Sequence, residues 1–220
     1  MATRFCDRTE AGQQLALRLK AYANRADVLI LALPRGGVPV AYEISHALNL
    51  PLDICLVRKL GEPGHKETAI GAIAADGVRV LNQPAIKWLG ITKQQIEEIT
   101  TQELQELQRR EHAYRGNRPP LNLYDRIVIL VDDGLATGAT MRAAVMWLNS
   151  QQPRQLIVAV PIASIQAYRE LKPKVDRLVC LSVPHNLYAI GIWYDRFAQV
   201  TDDQVCDLLN RAAVVNHLTS

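Results

Sequence analysis

The sequence predicts an α/β fold, a parallel sheet of about five strands with helices on both faces. Two observations lead there. Short continuous runs of β-favouring apolar residues, such as Val28 to Leu33 and Val128 to Val131, have the length and continuity of strands buried on both faces. Those runs alternate with stretches of helical periodicity, and alternation of this kind places strands side by side in one sheet with crossover helices between them.

The elements follow in order. An amphipathic helix is expected from about Glu10 to Ala23, with Leu15, Leu19 and Tyr22 on one face. The strand Val28 to Leu33 breaks at Pro34-Arg35-Gly36-Gly37, and a helix resumes from Val38 to Leu48 with Pro39 near its first turn. Gly36 and Gly37 permit close backbone approach, and the guanidinium fork of Arg35 suits phosphate oxygens, so this βα loop has the character of an anion site. A second strand is expected over Leu52 to Val57, followed by a charged loop that begins at Arg58 and Lys59. Two β-like runs, Ala69 to Ala74 and Val78 to Leu81, are joined by Asp76-Gly77 as a hairpin. A long helix runs from Thr92 to about Ala113, opened by a Thr92-x-x-Gln95 capping box, with Ile96, Ile99, Leu104 and Leu107 on one stripe and a Glu106–Arg110 pair. It is expected to pack on the core, to shield the active site or to pack against a second subunit, in which case the chain forms a homodimer.

Val128 to Thr140 carries the chemistry. Its strand stops at Asp132 and Asp133, followed by Gly134, Ala136, Thr137, Gly138, Ala139 and Thr140, and then a helix from Met141 to Leu148. Small and hydroxylated residues at a helix N-terminus let backbone N–H groups close around an anion. Carboxylates beside a phosphate cradle make sense for a ligand with two ends, a sugar phosphate whose cis-diol donates to the Asp pair directly or through Mg²⁺. Two other readings fail. A P-loop nucleotidase needs a Gly-Lys-Ser/Thr loop, and the chain has no Gly-Lys dipeptide. A receiver domain opens on its Asp pair, and too little chain follows Asp133 to build one. Downstream, strand Gln155 to Pro161, helix Ile165 to Leu171 and strand Arg177 to Leu181 complete the alternation. Arg35, Arg58 and Asp132 then fall at the carboxyl ends of strands, where such sheets bind ligands.

The order of four apolar residues, Asp-Asp, three residues and Thr-Gly-x-Thr resembles the type I phosphoribosyltransferases, whose loop binds phosphoribosyl pyrophosphate (PRPP). LALPRGGVPVA, VRKLGEPG, IGAIA and WYDRF resemble stand-alone bacterial members of that family, whose acceptor these residues do not name. The resemblance implies transfer of the 5-phosphoribosyl group from Mg²⁺-PRPP to a nitrogenous acceptor such as a nucleobase, as in nucleotide salvage, with release of pyrophosphate. It implies that Asp132 and Asp133 hold the ribose hydroxyls, the metal being met indirectly with PRPP. Thr137 to Thr140 would fix the 5′-phosphate, with Gly134 and Ala136 of the same loop also binding substrate, and the Arg35-Gly36-Gly37 loop with Arg58 and Lys59 would face the pyrophosphate. It implies a flap over 58–81, a core over 28–181, and a hood with a C-terminal helix over 183–213, in one domain spanning 1–220. Trp193 or Tyr194 would stack on the acceptor base, or else belong to a satellite hydrophobic cluster under the C-terminal helix that Thr201-x-x-Gln204 caps. Ala136 stands where hypoxanthine-guanine enzymes carry an acid, which removes the usual proton-exchange partner of a 6-oxopurine; adenine- and uracil-type relatives share the alanine.

The alternative is a regulator that senses PRPP without turning it over. It would carry a winged-helix extension or a basic nucleic-acid face, and neither is present in the sequence. A PRPP-making kinase needs an ATP-binding half that 220 residues hardly accommodate. Composition agrees with an enzyme: 49% hydrophobic, 21% charged and a net charge of +3 provide a sizeable core and no strong pull on nucleic acid. No apolar run approaches the ~20 residues of a membrane span, so a cytoplasmic location is expected. Cys6, Cys55, Cys180 and Cys206 are scattered, without C-x-x-C spacing, and are expected to be reduced.

Overall fold

The computed structural model describes residues 4–62, 65–116 and 118–217. In chain order the elements are α1 (Arg8–Arg18), β1 (Val28–Ala32), α2 (Gly37–Leu48), β2 (Leu52–Ile54), β3 (Val57–Glu62), β4 (His65–Ala74), β5 (Arg79–Leu81), α3 (Gln83–Leu89) and α4 (Lys93–Arg115). They continue with β6 (Ile127–Val131), α5 (Ala139–Ser150), β7 (Gln155–Ile162), α6 (Ile165–Leu171), β8 (Arg177–Ser182) and α7 (Asp202–His217). Two compact units result: residues 1–55, 123–138 and 153–220 form one, residues 56–122 and 139–152 the other.

The first unit is built on a five-stranded sheet in the order β2-β1-β6-β7-β8, with every neighbouring pair parallel. All five residues of β1 and of β6 are buried, as the continuous apolar runs require when both faces of a sheet are covered. α1 and α2 lie side by side, α1 over β7 and β8, α2 over β1, β2 and β6, and α7 packs on α2. β1 and β6 are paired from Val28↔Ile127 to Ala32↔Val131, so their carboxyl ends stand level with each other.

Three expectations shift here. The first helix starts earlier, because the Asp7 carboxylate accepts from Glu10 N at 3.1 Å as its cap, and it ends at Arg18, with a 3-10 turn over Lys20–Tyr22 in place of its last turn. The expected strand Leu52 to Val57 is two strands. Cys55 N still donates to Ala32 O at 2.8 Å beside β1, after which the chain changes partners and β3 pairs antiparallel with β4. Arg58 and Lys59 are therefore within β3 of a second sheet, not at the end of a strand of the parallel one.

That second sheet, β3-β4-β5, belongs to the second unit, where α3, α4 and α5 pack on it. The Asp76-Gly77 turn forms as expected: Gly77 has φ +80°, and the Asp76 carboxylate accepts from Val78 N at 2.9 Å. Pro63 and Gly64 of the expected flap lie outside the described residues, as do the side chains of residues 62–69. α4 carries both hydrogen bonds of the predicted capping box, Gln95 N to Thr92 Oγ1 at 3.2 Å and Thr92 N to Gln95 Oε1 at 2.9 Å. Glu106 meets Arg110 at 2.7 Å and also Arg109 at 2.9 Å, and these cations hold its carboxyl down at about 2. α3 was not anticipated from periodicity, since none of its residues is buried; Asn82 caps it and Gly90 ends it with φ +66°. Among the described residues no helix is long and apolar enough to cross a membrane, and the four cysteines are free thiols.

Candidate functional site

The two level strand ends of the first unit each run into a loop and then a helix. After β1, Leu33 N still donates to Val131 O at 2.9 Å, so the Pro34-Arg35-Gly36 loop departs directly beside Asp132 and Asp133. The contact between the loops is close enough to exclude side chains. A Cβ on Gly36 would stand 2.1 Å from Oδ2 and 2.6 Å from Cγ of Asp133, and one on Gly37 would stand 2.7 Å from Val131 O and 2.9 Å from Asp132 Cα. Two glycines are needed here for space. Gly36 caps α2 with no side-chain acceptor, and the first turn is satisfied by main chain instead: Gly37 N donates to Leu33 O at 3.0 Å, Val38 N to Arg35 O at 3.2 Å, and Pro39 has no N–H. The Pro34–Arg35 peptide is cis, and Arg35, half-exposed, lies 3.8 Å from the Asp202 carboxylate at the start of α7.

The loop after β6 is held from beneath. Leu135 N donates to Ile162 O and Ser164 N to Leu135 O, both at 2.8 Å, and Ser164 Oγ donates to Ala136 O at 2.7 Å. Above Gly134 there is no room for a side chain, because a Cβ would lie 2.7 Å from Ile190 Cδ1 and 3.0 Å from Ile162 Cγ2. Ala136 and Thr137 are exposed, and Gly138 turns the chain with φ +68°. The division between units falls after Gly138, so Ala139 and Thr140 open α5 in the second unit.

Asp132 and Asp133 differ in their surroundings. Asp132 Oδ1 accepts from Asp133 N at 2.8 Å. Its carboxyl is pushed well above the usual carboxylate range, first by burial and then by the neighbouring charge of Asp133. Asp133 is also raised by burial, but the guanidinium of Arg8 opposes the rise. Arg8 Nε and Nη2 both reach Asp133 Oδ2, at 2.9 and 2.8 Å. The Tyr194 hydroxyl donates to the Asp133 main-chain oxygen at 2.7 Å, and burial with the charge of Asp133 beside it raises the phenol so that it stays protonated.

Of the two roles expected for the aromatic tail, Tyr194 takes the packed one. Tyr194 is 3% exposed, packed with Phe5 and Ala11, with Leu181 and Ile190 against the cluster; enclosed on all sides, its ring offers no open face for a base. Trp193, half-buried, ends a 3-10 turn over Ile190–Trp193, and its indole N–H is buried without a hydrogen-bond partner among the described residues. In the second unit Arg58 is ion-paired with Glu103 of α4 and lies in β3 with Lys59. The structure thus brings Arg35, Gly36, Gly37, Asp132, Asp133 and Gly134 together and adds three residues that sequence reasoning passed over: Arg8, Phe5 and Ile190. Only Arg8 had a local signal, its place next to the capping Asp7.

Comparison with known proteins places the chain in a family. A family model described as "Phosphoribosyl transferase domain" matches residues 8–195. Two Mycobacterium tuberculosis proteins, from strains CDC 1551 / Oshkosh and H37Rv and both named "Putative phosphoribosyl transferase", are 42% identical over 208 residues, 94% of this chain and 47% of theirs. The chain thus spans about half the length of the curated relatives it matches. The crystal structure of TT1426 from Thermus thermophilus superposes with a TM-score of 0.88 at 40% identity, covering 95% of this chain and 99% of that one. The AQ2163 protein of Aquifex aeolicus, 13% identical with a TM-score of 0.51 over 92% of this chain and 84% of its own, shares the fold alone. With a family model covering most of its length and relatives this similar, the chain belongs to the phosphoribosyl transferase domain family.

Proposed function

We propose that this chain binds PRPP with Mg²⁺ and transfers the 5-phosphoribosyl group to a nitrogenous acceptor, a nucleobase, releasing pyrophosphate. The observation that carries the reading is the packing of Gly36 and Gly37 onto Asp132 and Asp133, which sets an anion-type loop and a pair of carboxylates side by side at the ends of two adjacent parallel strands. A ligand with a diol and phosphates suits that pairing; a simple anion would be repelled by the carboxylates. In this reading Asp132 and Asp133 accept from the ribose hydroxyls, and the backbone of residues 134–138 receives the 5′-phosphate. Arg35, at the positive end of the α2 dipole, receives the pyrophosphate. An acceptor nitrogen attacks the anomeric carbon as the bond to the pyrophosphate oxygen breaks; the pyrophosphate leaves with the electron pair and the acceptor gives up its proton. Binding and orientation then supply most of the catalysis.

The donor set fits Mg²⁺ in one way. Carboxylate oxygens suit a hard cation, but among the described residues no group of three His, Cys, Asp or Glu could hold a metal. The ion would be held mainly by the substrate's own oxygens, with Asp132 and Asp133 beside it, and would supply neutralisation of the departing charge. Ala136 leaves no acid just before Thr137-Gly138 to exchange a proton with a 6-oxopurine, which favours an acceptor that does not require one.

The test is pyrophosphate release from Mg²⁺-PRPP with adenine, hypoxanthine, guanine, xanthine, uracil, orotate or no base. A variant combining Asp132→Asn and Asp133→Asn serves as the blank and is followed by calorimetry. Release with one base, absent from the blank, is the expected result. Tight Mg²⁺-PRPP binding without release would make the protein a PRPP sensor, and unchanged affinity in the double variant would refute the site.

A further inference from the structure

Asp133 is held by more of the protein than a substrate carboxylate needs. Arg8 places two of its donors on Oδ2, gives Nη1 to Ala198 O at 2.8 Å, and lays its guanidinium over the Phe197 ring at 3.9 Å. Its side chain is only 11% exposed. An exposed Arg–Asp pair contributes little, but one enclosed by rings and with its donors satisfied is a fixed part of the structure. Tyr194 holds the same residue by its main-chain oxygen, and its ring lies against Phe5 and Phe197 with centroids 5.5 and 5.0 Å apart. The two segments that carry these side chains are stitched together: Phe5 N donates to Trp193 O, Asp195 N to Phe5 O and Arg196 N to Cys6 O, each at 2.9 Å. Residues 5–8 and 193–198 thus make a clip that closes on Asp133 from one side, while Gly36 presses on it from another.

We propose that Arg8 is a positioning residue of this site. It commits Oδ2 of Asp133 to the protein, so that Asp133 braces the two loops and only its other oxygen, with Asp132, is left to accept from the ribose diol. The inference rests on the PRPP reading and deepens it by dividing labour within the acidic pair. It also makes the N-terminal segment, outside the core expected from the sequence, part of the substrate site. The number of bonds to be broken argues for a permanent brace and against a latch that substrate displaces.

The test uses the whole chain. Mg²⁺-PRPP affinity is measured by calorimetry for the unmodified protein, Arg8→Ala, Arg8→Lys and Arg196→Ala. Arg8→Ala should weaken binding at least about 10-fold, the loss of one charge-assisted contact. Arg8→Lys should restore part of it, since lysine keeps the charge without the fork. Arg196→Ala breaks the exposed 2.7 Å pair with Asp7 in the same clip without touching Asp133, and should stay within about 2-fold, as surface pairs do. In turnover, KM for PRPP should rise while KM for the acceptor does not. Separately, thermal unfolding without ligand is compared for Arg8→Ala, Asp133→Ala and the double variant; the double should lose less than the sum of the singles. A folded Arg8→Ala protein that binds Mg²⁺-PRPP like the unmodified one, or more tightly, overturns the proposal, and so does additivity in the thermal cycle. If the unmodified chain does not bind Mg²⁺-PRPP, the functional reading fails, and the cycle alone decides whether Arg8 braces Asp133.

Discussion

Replacing Gly36 with alanine separates steric from conformational reasons for glycine at the head of α2. Its φ of −60° and ψ of −33° are ordinary helical values, so alanine meets no backbone penalty and would gain about 0.4–1 kcal/mol by restricting the unfolded chain. Space is the obstacle. The added Cβ would lie 2.1 Å from Asp133 Oδ2, and ordinary contact begins near 3.4 Å, so the carboxylate must move by about 1.3 Å. The Arg8 contacts to that oxygen are 2.8 and 2.9 Å long, and a shift of that size directed away from Arg8 stretches them to about 4.1 and 4.2 Å, out of hydrogen-bond range. A lost charge-assisted bond costs about 1.5–3 kcal/mol, or about 10- to 150-fold in Mg²⁺-PRPP affinity if Asp133 serves the ligand. Calorimetry of Gly36→Ala should show that loss, with Tm lowered as well, because the bond to Arg8 is part of the fold and the gain from restricting the unfolded chain offsets only part of it. In an Asp133→Ala background, where the obstructing carboxylate is gone, Gly36→Ala should cost almost nothing further. Affinity within about 2-fold of the unmodified protein in the single variant would refute the reasoning.

Other expectations concern separate parts of the molecule. Burial pushes the Cys180 thiol up to about 11, so its contribution to stability is complete below the unfolded value near ~8.5 and is lost as pH rises through about 11. At pH 8.5 iodoacetamide should label exposed Cys6 and spare Cys180 until the chain unfolds; equal labelling of both by mass spectrometry would contradict this. Thr92→Ala removes the acceptor for Gln95 N at the start of α4 and should cost about 1 kcal/mol, lowering Tm by about 2–4 °C in scanning calorimetry. Trp193→Ala should impair acceptor use in the pyrophosphate assay while leaving PRPP affinity intact, and equal loss of both would make Trp193 a packing residue.

Features that depend on near neighbours were legible in the chain. The apolar run before Asp132 is a buried strand because each residue in it must be covered on one face or the other. The Thr92–Gln95 box closes with both hydrogen bonds, as does the Thr201–Gln204 pair at the head of α7, at 2.9 and 3.2 Å, because partners three residues apart need only the local backbone to meet. The break within Leu52 to Val57 was not legible. Those residues are uniformly suited to a strand, and the exchange of β1 for β4 as partner is dictated by which edge the chain reaches. α3 escaped because a helix that buries nothing leaves no periodic stripe, although its cap residues were in view.

The candidate site divides along the same line. By itself the sequence determined the chemical inventory: two carboxylates closing a strand, a Thr/Gly loop, and an Arg-Gly-Gly loop after another strand, since strand, loop and helix start are set by residues within a few positions of each other. Only the tertiary structure decided that β1 and β6 are neighbours with level ends, that Gly36 is glycine because Asp133 occupies the space its side chain would fill, and that Asp133 is held by Arg8 from 125 residues away. Contacts at that separation follow from how the sheet and the clip are packed, and sterics and charge between distant segments have no signature in local composition.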